Sequence, residues 1–252
     1  TQAMKLRTLA SCSLLSSLVA CSNSSSDTVT TDEYDDVAQN VATSSSAQNG
    51  GDVSAMSNVV LVASGSMPLG FSFATDGMIT GTLGGITYSF SLTCRDASGT
   101  TQITCSSQTD LADAKLDVTG ALNLPGFSTT LDRHGEWSMM NLQEPSVKLA
   151  GNGTFSYDSS ITNASTGSTA AYHFDYEAAY MSVFIDKQSG LATSGEIDYA
   201  IAANKTVDGT QTRSFSVDAD VTFDGDGTAT LVLDGMHHYK IDLSTHVVVK
   251  ID

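Results

Sequence analysis

Four cysteines, five histidines and 28 carboxylates carry most of the chemical capacity of this 252-residue chain. Cys94 and Cys105 fall at the same phase of two alternating runs: Ile86, Tyr88, Phe90, Leu92 and Cys94, then Ile103 and Cys105. Between them Asp96-Ala97-Ser98-Gly99-Thr100 is a turn signal. That pattern predicts a disulfide clamping a hairpin, contributing ~3 kcal/mol through loop closure. With no histidine or third cysteine nearby, a redox or metal pair is the weaker alternative. His237 and His238 are adjacent in an alternating run, so they point to opposite faces and cannot share a metal without distortion. His237 shares the apolar phase with Tyr239, which suits a core or rim residue, or a residue lining a ligand cavity. His134, His173 and His246 are scattered, His173 on a polar face with Asp175 and Glu177.

The run Asp224-Gly225-Asp226-Gly227 invites a calcium reading. A calcium loop needs a spaced oxygen series ending in a distant bidentate acid. Here Thr228, Ala229 and Thr230 follow, and the next acid is Asp234, so a tight turn is the better reading and calcium the alternative. No G-x-S-x-G nucleophile elbow occurs. The acids sit at turns or alternate outward. A carboxylate pair for glycoside hydrolysis depends on spatial proximity and stays open at this level. The expectation is a non-enzymatic protein, without catalytic residues, metal centre or cofactor. Its ligand-contact candidates are His237, Tyr239, Tyr176 and Trp137, with a buried Trp137 as the alternative.

The amino-terminal segment supplies a different chemistry. Lys5 and Arg7 form a short basic stretch, and translation starting at Met4 would place them at its front. From Thr8 to Ala20 there is no charge, and Leu9, Leu14, Leu15, Leu18 and Val19 make the stretch apolar. At ~12–15 residues it is too short for a hydrocarbon core that needs about 20, and reads as a signal h-region. It ends in Leu18-Val19-Ala20-Cys21. Residues 4–21 resemble the signal and lipobox of bacterial lipoproteins. The resemblance implies that the Cys21 thiol receives diacylglycerol and that the chain is cut just before it. Ser22 in the next position goes with outer-membrane sorting in enterobacteria. The expected location is the cell envelope, anchored to the membrane through the lipid on Cys21.

Composition bounds the rest. A net charge of −17 with only 11 Lys and Arg disfavours nucleic acid and phosphate-bearing ligands. The expected organisation is a signal peptide over 1–20, a lipid-anchored, disordered, acidic Ser/Asp-rich tether over 21–55, and a single all-β domain over 56–252. The tether rests on its scarcity of large apolar residues. The domain rests on a period of two. Phe215, Val217, Ala219, Val221 and Phe223 share one face, with Ser216, Asp218, Asp220 and Thr222 on the other. Tyr172, Phe174, Tyr176, Ala178 and Tyr180 form another run, after which the apolar phase slips to Met181, Val183 and Ile185, predicting a β-bulge or a strand covered on both faces there. Short hairpin connections predict an antiparallel meander of ten or more strands with almost no helix. It would form a strongly curved sheet or an up-and-down barrel, with a β-sandwich as runner-up. Polar outward positions argue against a transmembrane barrel. The functional expectation is a structural or binding module with an envelope protein as partner. The alternatives are a carrier of a small apolar ligand in a calycin-like β cavity and a surface hydrolase.

Overall fold

The computed structural model describes residues 28–48, 50–74, 77–124, 127–162, 169–207 and 210–251. Two helices, α1 (Thr31–Ser45) and α2 (Asp52–Ala63), precede β1 (Phe71–Phe73), β2 (Ile79–Leu83), β3 (Ile86–Arg95), β4 (Leu111–Leu124), β5 (Phe127–Met140) and β6 (Ser146–Thr162). Then come β7 (Thr169–Asp186), β8 (Ala192–Val207), β9 (Thr210–Phe223), β10 (Thr228–Leu233), β11 (His237–Asp242) and β12 (Val248–Lys250). The strands lie in sequence order in one twelve-stranded sheet, and each pairs antiparallel with its neighbour. The sheet is open, with β1 and β12 as its edges. The antiparallel meander is therefore present, and neither a closed barrel nor a sandwich forms.

Alternation explains the strands. Along β7, Tyr172, Phe174, Tyr176, Ala178 and Tyr180 are buried while His173, Asp175 and Glu177 face solvent. The phase slip is a real irregularity: the pairing with β8 shifts between Met181 and Phe184, and Ser182 adopts a φ of 52°. That extra residue returns Val183 and Ile185 to the buried side. Cys94 and Cys105 form the expected disulfide, with a Cα–Cα distance of 5.4 Å.

Two expectations are corrected. Most of the supposed 21–55 tether is folded, and the domain starts well before residue 56; residues 21–27 lie outside those described. The helices also replace strand periodicity over 58–63 and overturn the expected near-absence of helix. α1 begins at a capping box: the Thr30 hydroxyl accepts from the Glu33 N–H, and the Glu33 carboxylate accepts from the Thr30 N–H. Val37, Ala38, Val41 and Ala42 form its buried stripe. Thr43, Ser44 and Ser45 are buried as well, because their hydroxyls donate to the carbonyls of Gln39, Asn40 and Val41. α2 buries Val53, Ala55, Met56, Val59, Val60, Val62 and Ala63, leaving little of it wet.

The helices fill the hollow of the sheet. α2 packs on β3 and β7, and α1 on β10, β11 and β12. The Gly50 N–H donates to the Tyr88 hydroxyl on β3, while the Tyr199 hydroxyl on β8 donates to Asp52. Those two strands are five spacings apart, about 24 Å along a flat sheet. Their tyrosines meet atoms only two residues apart, so the sheet must be curled around the helices.

Candidate functional site

The most polar part of the interior is built on Asp52, the first residue of α2. Arg133 comes from β5, on the inward phase that also carries Leu131 and Trp137. Its guanidinium lies 2.9 Å from the Asp52 carboxylate, and neither side chain is exposed. The Tyr180 and Tyr199 hydroxyls donate to the two Asp52 oxygens at 2.7 and 2.6 Å. Arg133 donates further to the carbonyls of Gly50 and Ser44 and to the Tyr157 hydroxyl, at 3.1, 3.3 and 3.1 Å. Phe155 packs 4.4 Å from the guanidinium carbon. Burial works against the guanidinium charge, yet the Asp52 carboxylate beside it holds the proton more firmly than usual. Burial, followed by the Asp52 charge, pushes Tyr180 and Tyr199 well above the ordinary phenol range, so both act as neutral donors. Sealed from solvent and hydrogen-bonded everywhere except at Arg133 Nε, which has no partner among the described residues, the cluster is a lock. It ties the connection between the helices to β5, β6, β7 and β8.

The start of α1 is fastened in the same style. Tyr34 donates to Asp234 at 2.6 Å, Tyr239 to Asp35 at 2.8 Å and Tyr172 to Asp36 at 2.5 Å. Buried Glu33 pairs with Arg213 at 3.0 Å and Lys205 at 3.5 Å. Burial opposes the Glu33 charge, but the Thr30 hydrogen bonds and these two cations hold its carboxyl below the usual range. Sequence reasoning missed Arg133, Asp52 and the acids of α1. Arg133 did leave a signal, a lone charge at an otherwise uncharged phase of β5.

The four ligand-contact candidates are all on the helix-covered side, in two groups. Trp137 packs edge-on against Tyr180 and Tyr176 stacks on Phe155, at 5.3 and 4.5 Å, both beside the Asp52–Arg133 lock. The His237 ring lies against Tyr34, tilted by 32° with centroids 3.9 Å apart, and Tyr239 donates to Asp35, both against α1. Tyr176, Tyr239 and Trp137 are buried, as the alternative reading of Trp137 anticipated. Cys21 lies outside the described residues. Asp226 accepts from the Thr228 N–H and hydroxyl, and Asp224 from Lys240, within a hairpin whose Gly225 and Gly227 have φ of 86° and 83°.

The outer face is different in character. Asp132, His134, Asp175, Glu177 and Asp218 border a furrow of about 520 Å³ whose floor includes Ala200. His134 sits 2.5 Å from Asp117 and 3.5 Å from Asp132, and His173 sits 2.7 Å from Asp158 and 3.4 Å from Asp175. The hydrogen bond to Asp158 is the main reason that the His173 pKa lies above the ordinary imidazole value. Carboxylate oxygens of Glu196, Asp198 and Asp220 lie within 4.8 Å of one another and could hold a cation. Burial and then their neighbouring acids raise the carboxyls of Glu196 and Asp198. This face offers charge and hydrogen-bond acceptors to something cationic. No protein-family model, curated protein or solved structure matches the chain.

Proposed function

We propose that this chain is a lipid-anchored, non-catalytic binding module of the cell envelope, held at the outer membrane through Cys21 and working with the outside of its sheet. One observation carries the reading. The hollow that a carrier would offer to an apolar ligand is occupied by α1 and α2, and the fully buried Asp52–Arg133 pair fastens them there. The accessible surface is then the acid-rich outer face, whose furrow is bordered by Asp132, Asp175, Glu177 and Asp218. The net charge of −17 favours a cationic partner and speeds its approach. Carrying an apolar ligand would require both helices to leave, breaking the lock and the three tyrosine–aspartate bonds of α1.

Two measurements test this. Cys21→Ser should move the protein from the membrane fraction to the soluble fraction, folded and with its disulfide intact; retention at the membrane would refute the anchor. Native mass spectrometry of protein released from its own envelope should show a protein partner that is lost when Asp132, Asp175 and Asp218 are changed to Asn together. A stoichiometric lipid-like adduct would replace the binding module with a carrier.

A further inference from the structure

We propose that His246 is an acid-sensitive latch on α1: a proton taken up by its ring releases the turn between β11 and β12 from the helix. This stands apart from the binding-module reading and concerns how α1 is held. The backbone makes the turn a clasp. The His246 N–H donates to the Asp242 carbonyl, and the His246 carbonyl accepts from the Gln39 side chain of α1 at 3.3 Å. Just beyond the helix, the Ala47 N–H donates to the Leu243 carbonyl at 2.9 Å. These bonds hold the middle and end of α1, whereas Glu33, Asp35 and Asp36 fasten its first turns separately.

His246 is only 6% exposed, and its Nε2 is buried with no hydrogen-bond partner among the described residues. The Thr245 carbonyl serves the ring's other nitrogen. A neutral imidazole donates from one nitrogen and leaves only a lone pair on the other. The imidazolium needs a second acceptor, at Nε2, and solvation of its charge, and the site supplies neither. Charges on the surrounding elements are committed elsewhere. On α1, Asp35 accepts from Tyr239, Asp36 from Tyr172, and Glu33 pairs with Lys205 and Arg213. β10 carries no charged residue, Lys240 of β11 pairs with Asp224, and the Lys250 ammonium of β12 lies 5.8 Å from the Tyr239 ring. Asp242, at the base of the turn, is the acid that acts on the ring, and its Oδ1 already accepts the N–H groups of Ser244 and Thr245.

Burial holds the His246 pKa below the ordinary imidazole value, against the Thr245 bond and the Asp242 charge. Such a group contributes stability that is complete above its unfolded value of ~6.5 and is lost as pH falls from there toward the folded value. His173 on the outer face and Asp36 under α1 have the opposite sign, with raised pKa values that favour the fold as pH falls. Glu33, with its lowered carboxyl, loses stability only below its unfolded value near 4.5. Parting the turn from α1 breaks the Gln39 and Ala47 bonds and frees His246 from a φ of 60°, which non-glycine residues seldom adopt. The opening is therefore local.

The test is residue-resolved amide exchange of the full-length protein in detergent at pH ~7.5 and ~5.5, corrected for the intrinsic pH dependence of exchange. Protection over residues 39–47 and 242–248 should fall at the lower pH by up to roughly tenfold, the limit set by lying about one unit below the unfolded imidazole value. Protection in β4 to β6 should not follow. His246→Asn tolerates the positive φ and cannot take up a proton, so its protection in both segments should be flat between the two pH values. His173→Gln should keep the wild-type loss. An NMR titration of the wild-type His246 ring needs no variant, and should place its pKa below the ordinary value of ~6.5. Equal protection at both pH values, the same loss in His246→Asn, or a ring that titrates at ~6.5 or above would each overturn the latch. Loss confined to residues 31–37 would place the acid response at Glu33 and overturn it too.

Discussion

At Arg133 a full positive charge sits out of reach of water, and the Asp52 carboxylate is what makes that tolerable. Removing one charge of such a pair leaves the other buried and uncompensated. Asp52→Asn removes the charge and one of the two oxygens that Tyr180 and Tyr199 donate to, and should cost about 3–5 kcal/mol, read from urea unfolding. The double variant Asp52→Asn/Arg133→Met should be more stable than Asp52→Asn alone, because no orphan charge remains. On the outer face the balance reverses. Asp198 and Asp220 are direct cross-strand partners, and burial, then the Asp220 charge, raises the Asp198 carboxyl above 3.8. A raised carboxyl contributes stability that is present below its unfolded value and lost as pH rises through the folded one. At neutral pH the pair is therefore a liability. Asp220→Asn should raise Tm at pH 7 by roughly 1–3 °C, from a like-charge cross-strand term of ~0.2–1 kcal/mol. The gain should fade as pH falls toward ~4, and thermal melts at the two pH values read it.

The long strands carry their own evidence in sequence, since inward and outward residues alternate along most of their length, and the slip at Met181 even located an irregular pairing. Cys94 and Cys105 were legible as a pair for the same reason, sharing a phase on either side of a turn. The helices were not legible by composition. A hollow lined by Tyr88, Phe155, Tyr176 and Tyr199 is filled by small residues such as Ala38, Ala42, Ser44 and Ser45. That makes α1 resemble a disordered segment to any test that weighs large apolar side chains. Its capping box, Thr30 to Glu33 ahead of Val37, was the readable sign. The Asp52–Arg133 lock joins residues far apart along the chain, so only the curled sheet brings them together. At this scale α1 is held by its buried stripe of Val37, Ala38, Val41 and Ala42 and by polar side-chain contacts at its first turns. Tyr172→Phe removes the donor to Asp36, whose carboxyl burial already raises. The expected cost is about 1–3 kcal/mol, with faster hydrogen exchange over residues 31–45 and unchanged exchange in β4 to β6. Uniformly faster exchange would mean that α1 does not open separately from the sheet.

The whole molecule is a curled sheet that depends on its own amino-terminal helices for an interior. A closed barrel would have no edges, but one of this many strands would still leave an interior to fill. The open sheet here keeps β1 and β12 as edges and turns Tyr88, Phe90, Trp137, Phe174 and Tyr199 inward. Those side chains are buried against α1, α2 and one another within a single core. A large aromatic surface left uncovered drives association rather than a soluble monomer. A chain lacking residues 28–63 should therefore aggregate or bind a hydrophobic dye, and co-expression of the 28–63 segment should restore soluble monomer. Arg133→Met in the truncated chain should not rescue it, because the deficit is the missing filling and not only the orphaned charge. A truncated chain that stayed monomeric, dye-negative and fully β by circular dichroism would show that the strands can close on themselves. The helices would then be an occupant of the hollow rather than its core, and an apolar ligand could take their place.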